Sequence, residues 1–289
     1  MSERPARVRV RAPAKVNLTL AVLGKRPDGF HEVDTWMLAI GLSDELELTR
    51  TREPGVRVEL AGPFASADIP ADATNLAARA AQAALDLAGS REGLALRLVK
   101  HIPSGSGLGG GSADAAAAWM GASALLGLDP SSPAGEKALA ALGSDCVFFW
   151  KAAKTGYARC LGRGERVELA PTPPSPRFIS LVVPDVACPT GKVYAAFTGR
   201  SGLANDLEPA ALAAVPELRA WRKALDSCSG TRWQLSGSGS SFFAPHAERE
   251  AAQAALNAAL RAFAKAGLRP RGAWVCGVPG RGAQILPVG

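Results

Sequence analysis

The feature that most constrains the fold of this chain is a glycine-rich loop followed by a long alanine-rich segment. From Pro103 the sequence reads Pro-Ser-Gly-Ser-Gly-Leu-Gly-Gly-Gly-Ser-Ala-Asp-Ala, so five of the nine residues from Gly105 to Ala113 are glycine. A strand-like run, Leu94 to Ile102, leads into the loop, and a predicted helix, Ala113 to Leu126, leaves it. Free N–H groups and the positive end of the helix dipole meet there. The loop is therefore predicted to hold a phosphate chain.

Other glycine-rich motifs fit this loop less well. No Gly-Lys-Ser/Thr sequence closes it, which excludes a Walker A loop. A dinucleotide-binding fingerprint would need an acidic residue about 20 residues further on, after a strand, and none is there. The structural alternative is a flexible linker. Linkers are unstructured at both ends, whereas this loop joins a predicted strand to a predicted helix.

Two further motifs stand near the ends of the chain. Residues Pro13 to Leu20 read Pro-Ala-Lys-Val-Asn-Leu-Thr-Leu, and residues Leu235 to Ala244 read Leu-Ser-Gly-Ser-Gly-Ser-Ser-Phe-Phe-Ala. Together with the loop, these motifs resemble, in the same order, the three motifs of the GHMP small-molecule kinases. The triple glycine before Ser112 is most similar to one branch, the 4-diphosphocytidyl-2-C-methyl-D-erythritol kinases. Three motifs in order make a far more specific signal than one glycine-rich loop.

The composition agrees with a globular protein that binds a small anionic molecule. The chain has 289 residues, 47% hydrophobic and 20% charged, with a net charge of +7. Basic residues are scattered without aromatic interleaving, so no nucleic-acid partner is predicted. The N-terminus has no apolar signal segment, and no apolar run reaches the length of a membrane span. We therefore expect a cytoplasmic protein without a membrane partner.

Cysteine and histidine usage supports the same interpretation. The five cysteines are odd in number and far apart, so we expect reduced thiols. The three histidines do not cluster with cysteines at metal-ligand spacing, so no protein-bound metal site is predicted.

Periodicity predicts a mixed succession of strands and helices. The expected strands are residues 8–12, 16–23, 36–40, 45–49, 94–102, 178–183, 233–235, 241–244 and 273–276, and the expected helices are residues 75–87, 113–126, 133–142, 212–225 and 248–266. Thr74 is predicted to cap the first helix. The proline-rich run Pro171 to Pro176 is the predicted linker, which gives an N-terminal ATP-binding and catalytic domain over residues 1–172 and a C-terminal domain over residues 173–289.

This succession is typical of an α+β fold. The resemblance implies the two-domain GHMP kinase fold, in which an N-terminal domain like ribosomal protein S5 domain 2 precedes a ferredoxin-like C-terminal domain.

The resemblance also assigns the catalytic pair. Asp145 lies in Gly-Ser-Asp-Cys-Val-Phe-Phe, which is similar to the family segment that carries the catalytic base, although Cys146-Val147 replaces the usual Val-Pro. From the residues alone Asp145 would be a helix cap or turn residue. Lys15, by itself an ordinary surface lysine, matches the family lysine that polarises the substrate hydroxyl or lowers the pKa of the base. Asn17 in the same motif would hydrogen-bond the substrate.

The segment from Gly24 to Glu32 indicates the class of substrate. It reads Gly-Lys-Arg-Pro-Asp-Gly-Phe-His-Glu and is similar to the signature of the cytidylyl-methylerythritol kinases, with Phe30 in place of a tyrosine. The resemblance implies that Phe30 and Tyr194 stack on the two faces of a pyrimidine and that His31 reads its edge. Core packing is the alternative for both rings. Gly239 and Ser240 of the third motif are expected to approach the phosphates or the diphosphate.

For the nucleotide, the resemblance implies ATP with Mg²⁺. The residues expected to hold it are Asn75, Lys100, Pro103, Gly105, Gly107, Gly109, Gly110, Gly111 and Ser112. The implied activity is ATP-dependent phosphorylation of the 2-hydroxyl of 4-diphosphocytidyl-2-C-methyl-D-erythritol, on the non-mevalonate route to isoprenoid precursors, by a monomer or homodimer. The alternatives are a homoserine or sugar kinase of the superfamily and a catalytically inactive nucleotide-binding regulator of the same fold.

Overall fold

The computed structural model describes residues 5–170 and 175–286, and its strands form two separate sheets. The first sheet has seven strands: β1 (Arg7–Lys25), β2 (His31–Thr51), β3 (Gly55–Ala61), β4 (Gly93–Val99), β5 (Tyr157–Gly162), β6 (Arg166–Leu169) and β11 (Gln284–Leu286). Their order is β11-β1-β2-β4-β3, and β5 joins β2 and carries β6. All pairs are antiparallel except β3 with β4.

The two long strands β1 and β2 form the centre of this sheet. The sequence predicts each as two shorter strands, but each runs without interruption, because register shifts at three places absorb the extra residues of one strand or the other. One shift falls at Pro13/Ala14 and another between Asn17 and Thr19, on either side of Lys15. The first motif is thus built into a central, bulged strand.

Four helices pack against the first sheet: α1 (Leu76–Ala88), α2 (Gly110–Leu126), α3 (Pro133–Leu142) and α4 (Ser144–Lys151). Helix α2 is alanine-rich and buried along almost its whole length, since alanine lets it lie close to β1 and α1. Asn75, not the predicted Thr74, caps α1: its side chain accepts the N–H of Ala77 at 2.9 Å.

The second sheet has four antiparallel strands, β7 (Phe178–Pro184), β8 (Gln234–Leu235), β9 (Phe242–His246) and β10 (Pro270–Gly277), in the order β10-β7-β9-β8. It is accompanied by α5 (Thr190–Ala195), α6 (Glu208–Ala214), α7 (Leu218–Asp226) and α8 (Arg249–Lys265). The helical segment expected over residues 212–225, with Pro216 interrupting it, forms two helices, because Pro216 cannot continue a helix. The predicted α+β class is confirmed.

One apolar cluster joins the two sheets. Val16 and Leu38 of the first half pack with Ile179, Leu181 and Phe243 of the second, and all five are buried. The predicted domain boundary at residues 172/173 lies outside the described residues. The final strand β11 returns to pair with β1 of the first sheet. No helix of the described residues has the length and apolarity that crossing a membrane requires.

Candidate active site

A cleft of about 1070 Å³ opens where the two halves of the chain meet. Its walls come from the glycine loop, from β1 and β2, from the start of α4 and from the loop after β8. Of the residues predicted to bind or act on ligands, only Ser240 does not line the cleft. The predicted residues that do line it are Lys15, Asn17, Phe30, His31, Asn75, Lys100, Pro103, Gly105, Gly107, Gly109, Gly110, Gly111, Ser112, Asp145, Tyr194 and Gly239. The fold thus gathers motifs that are more than 200 residues apart in the sequence.

The glycine loop delivers the start of α2 to the cleft. Gly109 is the N-cap, with φ +72°, and no side chain caps the helix. The first turn contains no acidic residue, so its N–H groups and the positive end of the dipole are left for an anion. The loop is held in place from both sides: the N–H of Lys15 donates to Leu108 at 2.9 Å, and the N–H of Ser241 donates to Ser106 at 3.1 Å.

Glycine is required in this loop by space as well as by backbone angle. A Cβ atom on Gly109 would lie 3.0 Å from the Phe149 ring and 3.2 Å from Cε of Lys15. A Cβ atom on Gly107 would lie 2.4 Å from the carbonyl oxygen of Ser236. Side chains at these positions would therefore displace Lys15 or the loop of the second half.

Gly109→Ala is expected to weaken ATP binding about tenfold, because the methyl group moves Lys15 or the loop away from the phosphates. Gly89→Ala is the matched control, since Gly89 is also left-handed, with φ +58°, but has no atom within 4 Å of the added Cβ. Both variants carry the same left-handed strain, about 1–2 kcal/mol. Titration calorimetry with ATP checks this, and equal affinities in the two variants would show that the loop does not position the phosphates.

Lys15, Asn17 and Asp145 form the polar floor of the cleft. Nζ of Lys15 donates to Oδ1 of Asn17 at 2.7 Å and lies 3.4 Å from Oδ2 of Asp145. Nδ2 of Asn17 donates to Oγ1 of Thr35 at 2.7 Å, and that hydroxyl donates to the Thr19 carbonyl at 2.6 Å. Lys15 is 5% exposed and Asp145 26% exposed. The buried ammonium is thus fixed by a chain of hydrogen bonds, while the carboxylate remains open to the cleft.

Asp145 stands in the first turn of α4, a helix that the sequence analysis missed. Gly143 is its N-cap, and the apolar run after Asp145 is buried against the core, from Cys146 through Phe149. The replacement of the family's Val-Pro by Cys146-Val147 leaves a regular helix here. Burial raises the pKa of the Cys146 thiol to about 12, so this cysteine is an apolar packing residue.

Lys100 lies under the start of α2, in a buried group with Asp44 and Asp114. Its ammonium contacts Oδ2 of Asp44 and lies 2.6 Å from Oδ2 of Asp114, and all three side chains are at most 3% exposed. Oδ1 of Asp44 accepts the N–H groups of His101 and Ile102, the latter at 2.8 Å. The group therefore ties β2, the end of β4 and α2 together below the glycine loop. This placement favours a supporting role for Lys100 over the predicted direct contact with the nucleotide.

Burial of two carboxylates with one ammonium raises the pKa of Asp114 from 3.8 to about 8. Its Oδ1 atom has no hydrogen-bond partner among the described residues. Between these two pH values the folded protein holds a proton that the unfolded chain releases. The contribution of Asp114 to stability is consequently greatest at low pH and is lost as the pH rises through the pKa of its folded state.

We expect Asp114→Asn to remove this part of the pH dependence. Relative to the variant, the wild-type free energy of unfolding should fall by up to about 1.4 kcal/mol per pH unit between about pH 4 and pH 8. Urea denaturation of both proteins across this range measures the difference, with the exposed Asp86→Asn as the control. Parallel curves for wild type and Asp114→Asn would contradict the raised pKa.

Aromatic side chains line the opposite end of the cleft. The His31 ring stacks on Tyr194 with a centroid distance of 4.9 Å and an interplanar angle of 25°. Phe30 is 53% exposed, and the guanidinium of Arg163 lies 4.7 Å from its centroid. Burial raises the pKa of Tyr194 to about 12. The three predicted substrate residues are thus brought together, although His31 lies against Tyr194 rather than apart from it.

The loop of the third motif closes the cleft from the second half. Gly237, Ser238 and Gly239 line it, whereas Ser240 is buried and does not. Ser238, whose hydroxyl lies 2.9 Å from that of Thr190, is therefore the serine that this loop presents to a ligand. Nδ2 of Asn205 holds the loop by donating to Gly237 at 2.7 Å. The prediction for Ser240 is corrected in favour of Ser238, because Ser240 is 1% exposed and does not line the cleft.

At the nucleotide end, Asn75 and Pro103 line the cleft beside Thr74 and Leu76. Both polar atoms of Asn75 are already engaged, since its amide nitrogen donates to Pro70 at 2.7 Å while its oxygen caps α1. Sequence reasoning missed Thr35, Asp44 and Arg163 at this site. Only the Gly-Arg-Gly-Glu sequence around Arg163 carried a usable signal, that of a tight turn.

Comparison with known proteins agrees with this geometry. The GHMP kinase N-terminal domain matches residues 75–150, and the GHMP kinase C-terminal domain matches residues 195–265. A 4-diphosphocytidyl-2-C-methyl-D-erythritol kinase from Pelotomaculum thermopropionicum is 38% identical, over 84% of this chain and 90% of the relative. A crystal structure of 4-(cytidine 5'-diphospho)-2C-methyl-D-erythritol kinase superposes with a TM-score of 0.73 at 31% identity, covering 93% of this chain and 99% of that one.

A homoserine kinase from Cytophaga hutchinsonii shares the fold, with a TM-score of 0.75 at 20% identity and 99% coverage of both chains. At that identity the likeness concerns the fold alone, whereas the relatives above 30% identity span most of both sequences. The chain is a small-molecule kinase that belongs to the GHMP kinases and, within them, to the family of 4-diphosphocytidyl-2-C-methyl-D-erythritol kinases.

Proposed function

We propose that this protein transfers the terminal phosphoryl group of ATP to the 2-hydroxyl of 4-diphosphocytidyl-2-C-methyl-D-erythritol. The observation that carries the proposal is the arrangement of one cleft. The uncapped start of α2 lies beside the Lys15–Asp145 pair, 3.4 Å apart, and the rings of Phe30, His31 and Tyr194 stand at the other end. The names of the relatives in this family support the same substrate.

In the proposed reaction Asp145 accepts the proton of the 2-hydroxyl as the hydroxyl oxygen bonds to the terminal phosphorus. The bond from that phosphorus to its bridging oxygen breaks, and ADP leaves with the electron pair. Lys15 holds the Asp145 carboxylate in place and supplies positive charge where negative charge gathers on the transferring group. The glycine loop and the N–H groups of α2 hold the phosphates, so positioning and charge neutralisation carry most of the catalysis.

Mg²⁺ would neutralise the phosphate charge of the bound nucleotide. Within residues 5–170 and 175–286, no three His, Cys, Asp or Glu side chains cluster so as to hold a metal ion. Such an ion suits this site as one bound chiefly by phosphate oxygens and water. The Ser112 hydroxyl, in the first turn of α2, lines the cleft and is the oxygen group of the chain that we assign to it.

Removing the aromatic ring of Phe30 or of Tyr194, the two rings expected to stack on the pyrimidine, should weaken binding of the cytidylyl alcohol about ten- to a hundredfold. The reason is that base stacking on an aromatic ring contributes about 1–3 kcal/mol. The variants are Phe30→Ala and Tyr194→Ala, and ATP affinity should stay almost unchanged in both. Phe64→Ala is the control, since that ring packs on Trp274 and does not line the cleft. Calorimetric titration measures the affinity for each ligand. Full affinity for the cytidylyl alcohol in both variants would show that these two rings do not bind the pyrimidine.

The two alternatives predict different outcomes in one assay. ADP release is followed with ATP and, separately, the cytidylyl alcohol, homoserine and galactose. The proposal expects kcat/KM to be highest for the cytidylyl alcohol by several orders of magnitude, because only that alcohol can occupy the aromatic end. A preference for homoserine or galactose would replace the substrate, and nucleotide binding without turnover of any alcohol would favour the inactive regulator.

We expect the protein to work in the cytoplasm. All five cysteines are free thiols, and four of them are buried. Reduced cysteines are typical of that compartment.

A further inference from the structure

The turn between β5 and β6 presents an arginine to the cleft that the reaction described above does not use. Gly162 and Gly164 flank Arg163, with φ +77° and +110°. The Glu165 carboxylate lies under the turn and accepts the N–H of Arg163 at 2.6 Å, and a Cβ on Gly162 would meet it at 2.8 Å. The N–H of Gly164 closes the turn on Leu161 at 3.1 Å. The backbone of Arg163 is thus fixed.

Arg163 lies between the two ends of the site. Its guanidinium is 4.7 Å from the centroid of Phe30, at the aromatic end. The next residue, Gly164, is packed at the catalytic end, where a Cβ atom would lie 3.6 Å from Oδ1 of Asp145. Arg163 is therefore placed beside a ligand that joins an aromatic base to the reacting hydroxyl.

Arg163 also has no salt-bridge partner among the described residues, although its charge attracts the exposed Asp28 carboxylate at longer range. Four cations line the cleft: Lys15, Lys25, Lys100 and Arg163. Lys15 lies beside Asp145, and Lys100 is held by two carboxylates. In the part of the chain that the structure describes, neither Arg163 nor the exposed strand-end residue Lys25 forms a salt bridge. Of Arg163 and Lys25, Arg163 is half-buried and Lys25 is exposed. The guanidinium of Arg163 carries paired N–H donors whose spacing matches that of phosphate oxygens.

We propose that Arg163 is a specificity-determining residue that binds the diphosphate bridge of the cytidylyl substrate. This inference rests on the proposed function, because it uses the order of groups in that substrate: base, diphosphate, polyol. The cation over Phe30 orders that ring, and its outer N–H groups bind the diphosphate oxygens. An acceptor without a diphosphate, such as homoserine or a free sugar, gains nothing from it, so Arg163 discriminates against these alcohols.

Direct binding of three probes tests the assignment: cytidine, cytidine 5'-monophosphate and cytidine 5'-diphosphate. Arg163→Met should weaken binding of the diphosphate about ten- to a hundredfold, the range for a lost charge-assisted hydrogen bond, and that of cytidine less than about twofold. The affinity of Arg163→Lys for the diphosphate should lie between those of wild type and Arg163→Met, since lysine keeps the positive charge but lacks the paired N–H donors of the guanidinium. In turnover, Arg163→Met should raise the KM for the cytidylyl alcohol and leave the KM for ATP unchanged.

Arg166→Met is the matched control, because Arg166 is an exposed arginine three residues further on and its loss changes the net charge equally. It should match wild type with all probes, and thermal unfolding should show both variants folded. Equal losses for cytidine and its diphosphate in Arg163→Met would mean that Arg163 acts only through Phe30, which would overturn the inference. So would a wild-type protein that binds the diphosphate no better than cytidine. A wild type that binds no cytidine compound overturns the proposed function itself.

Discussion

Asp145→Asn is expected to lower kcat about a hundredfold or more, the usual cost of losing a general base, while ATP binds almost as before. The asparagine keeps the size of the side chain and its place in the first turn of α4, but it cannot accept the hydroxyl proton. Because the carboxylate is 26% exposed and faces the cleft, the substitution leaves the core intact. Steady-state kinetics and nucleotide titration together separate turnover from binding.

Asp86→Asn controls for the loss of a negative charge, since Asp86 is exposed on α1, away from the cleft. This variant should retain wild-type turnover. If Asp145→Asn also turned over at a near-normal rate, Asp145 would have no part in proton transfer, and the cleft would need another base.

Lys15→Met is expected to lower kcat about 10²–10³-fold, the range seen when one preorganised donor to developing charge is removed. Methionine keeps an unbranched apolar stem in a position that is 5% exposed, and it removes the ammonium 3.4 Å from Asp145. The loss should appear chiefly in kcat, because the ammonium stabilises charge that develops during transfer. Thermal unfolding should show the variant folded, since Asn17 keeps its hydrogen bond to Thr35.

Lys137→Met, at an exposed position of α3, removes the same charge elsewhere and should leave kcat unchanged. The double variant of Lys15 and Asp145 gives a sharper check. Groups that act as a unit lose little more together than singly. Fully additive losses would therefore contradict the coupling of the lysine and the carboxylate.

The sequence predicts helices and loops of this fold well where local signals are strong. Periodicity located α1, α3 and α8 to within two residues, since apolar spacing and glycine or proline punctuation act locally. It missed β11, a three-residue strand whose existence depends on pairing with β1 at the other end of the chain. It also missed α4, because eight residues with an apolar core-facing run do not show a helical period.

For the site, three motifs predicted which segments meet, and the structure brings them to one cleft. What they could not predict is how polar groups are shared. The sequence predicts that Lys100 faces the nucleotide, but its ammonium forms salt bridges with Asp44 and Asp114 instead. Asp44 is 56 residues away in the sequence, and Asp114 lies on the helix that follows the loop. Arg163 carries no motif of its own, and its importance follows only from its position over Phe30.

The most direct test of the central claim is the identity of the product. The purified protein is incubated with ATP, Mg²⁺ and the cytidylyl alcohol, and the mixture is analysed by phosphorus NMR and mass spectrometry. We predict ADP and a phosphomonoester on the 2-hydroxyl in equal amounts, with the diphosphate bridge intact. ADP formed without that ester, or an ester at another hydroxyl, would contradict this account.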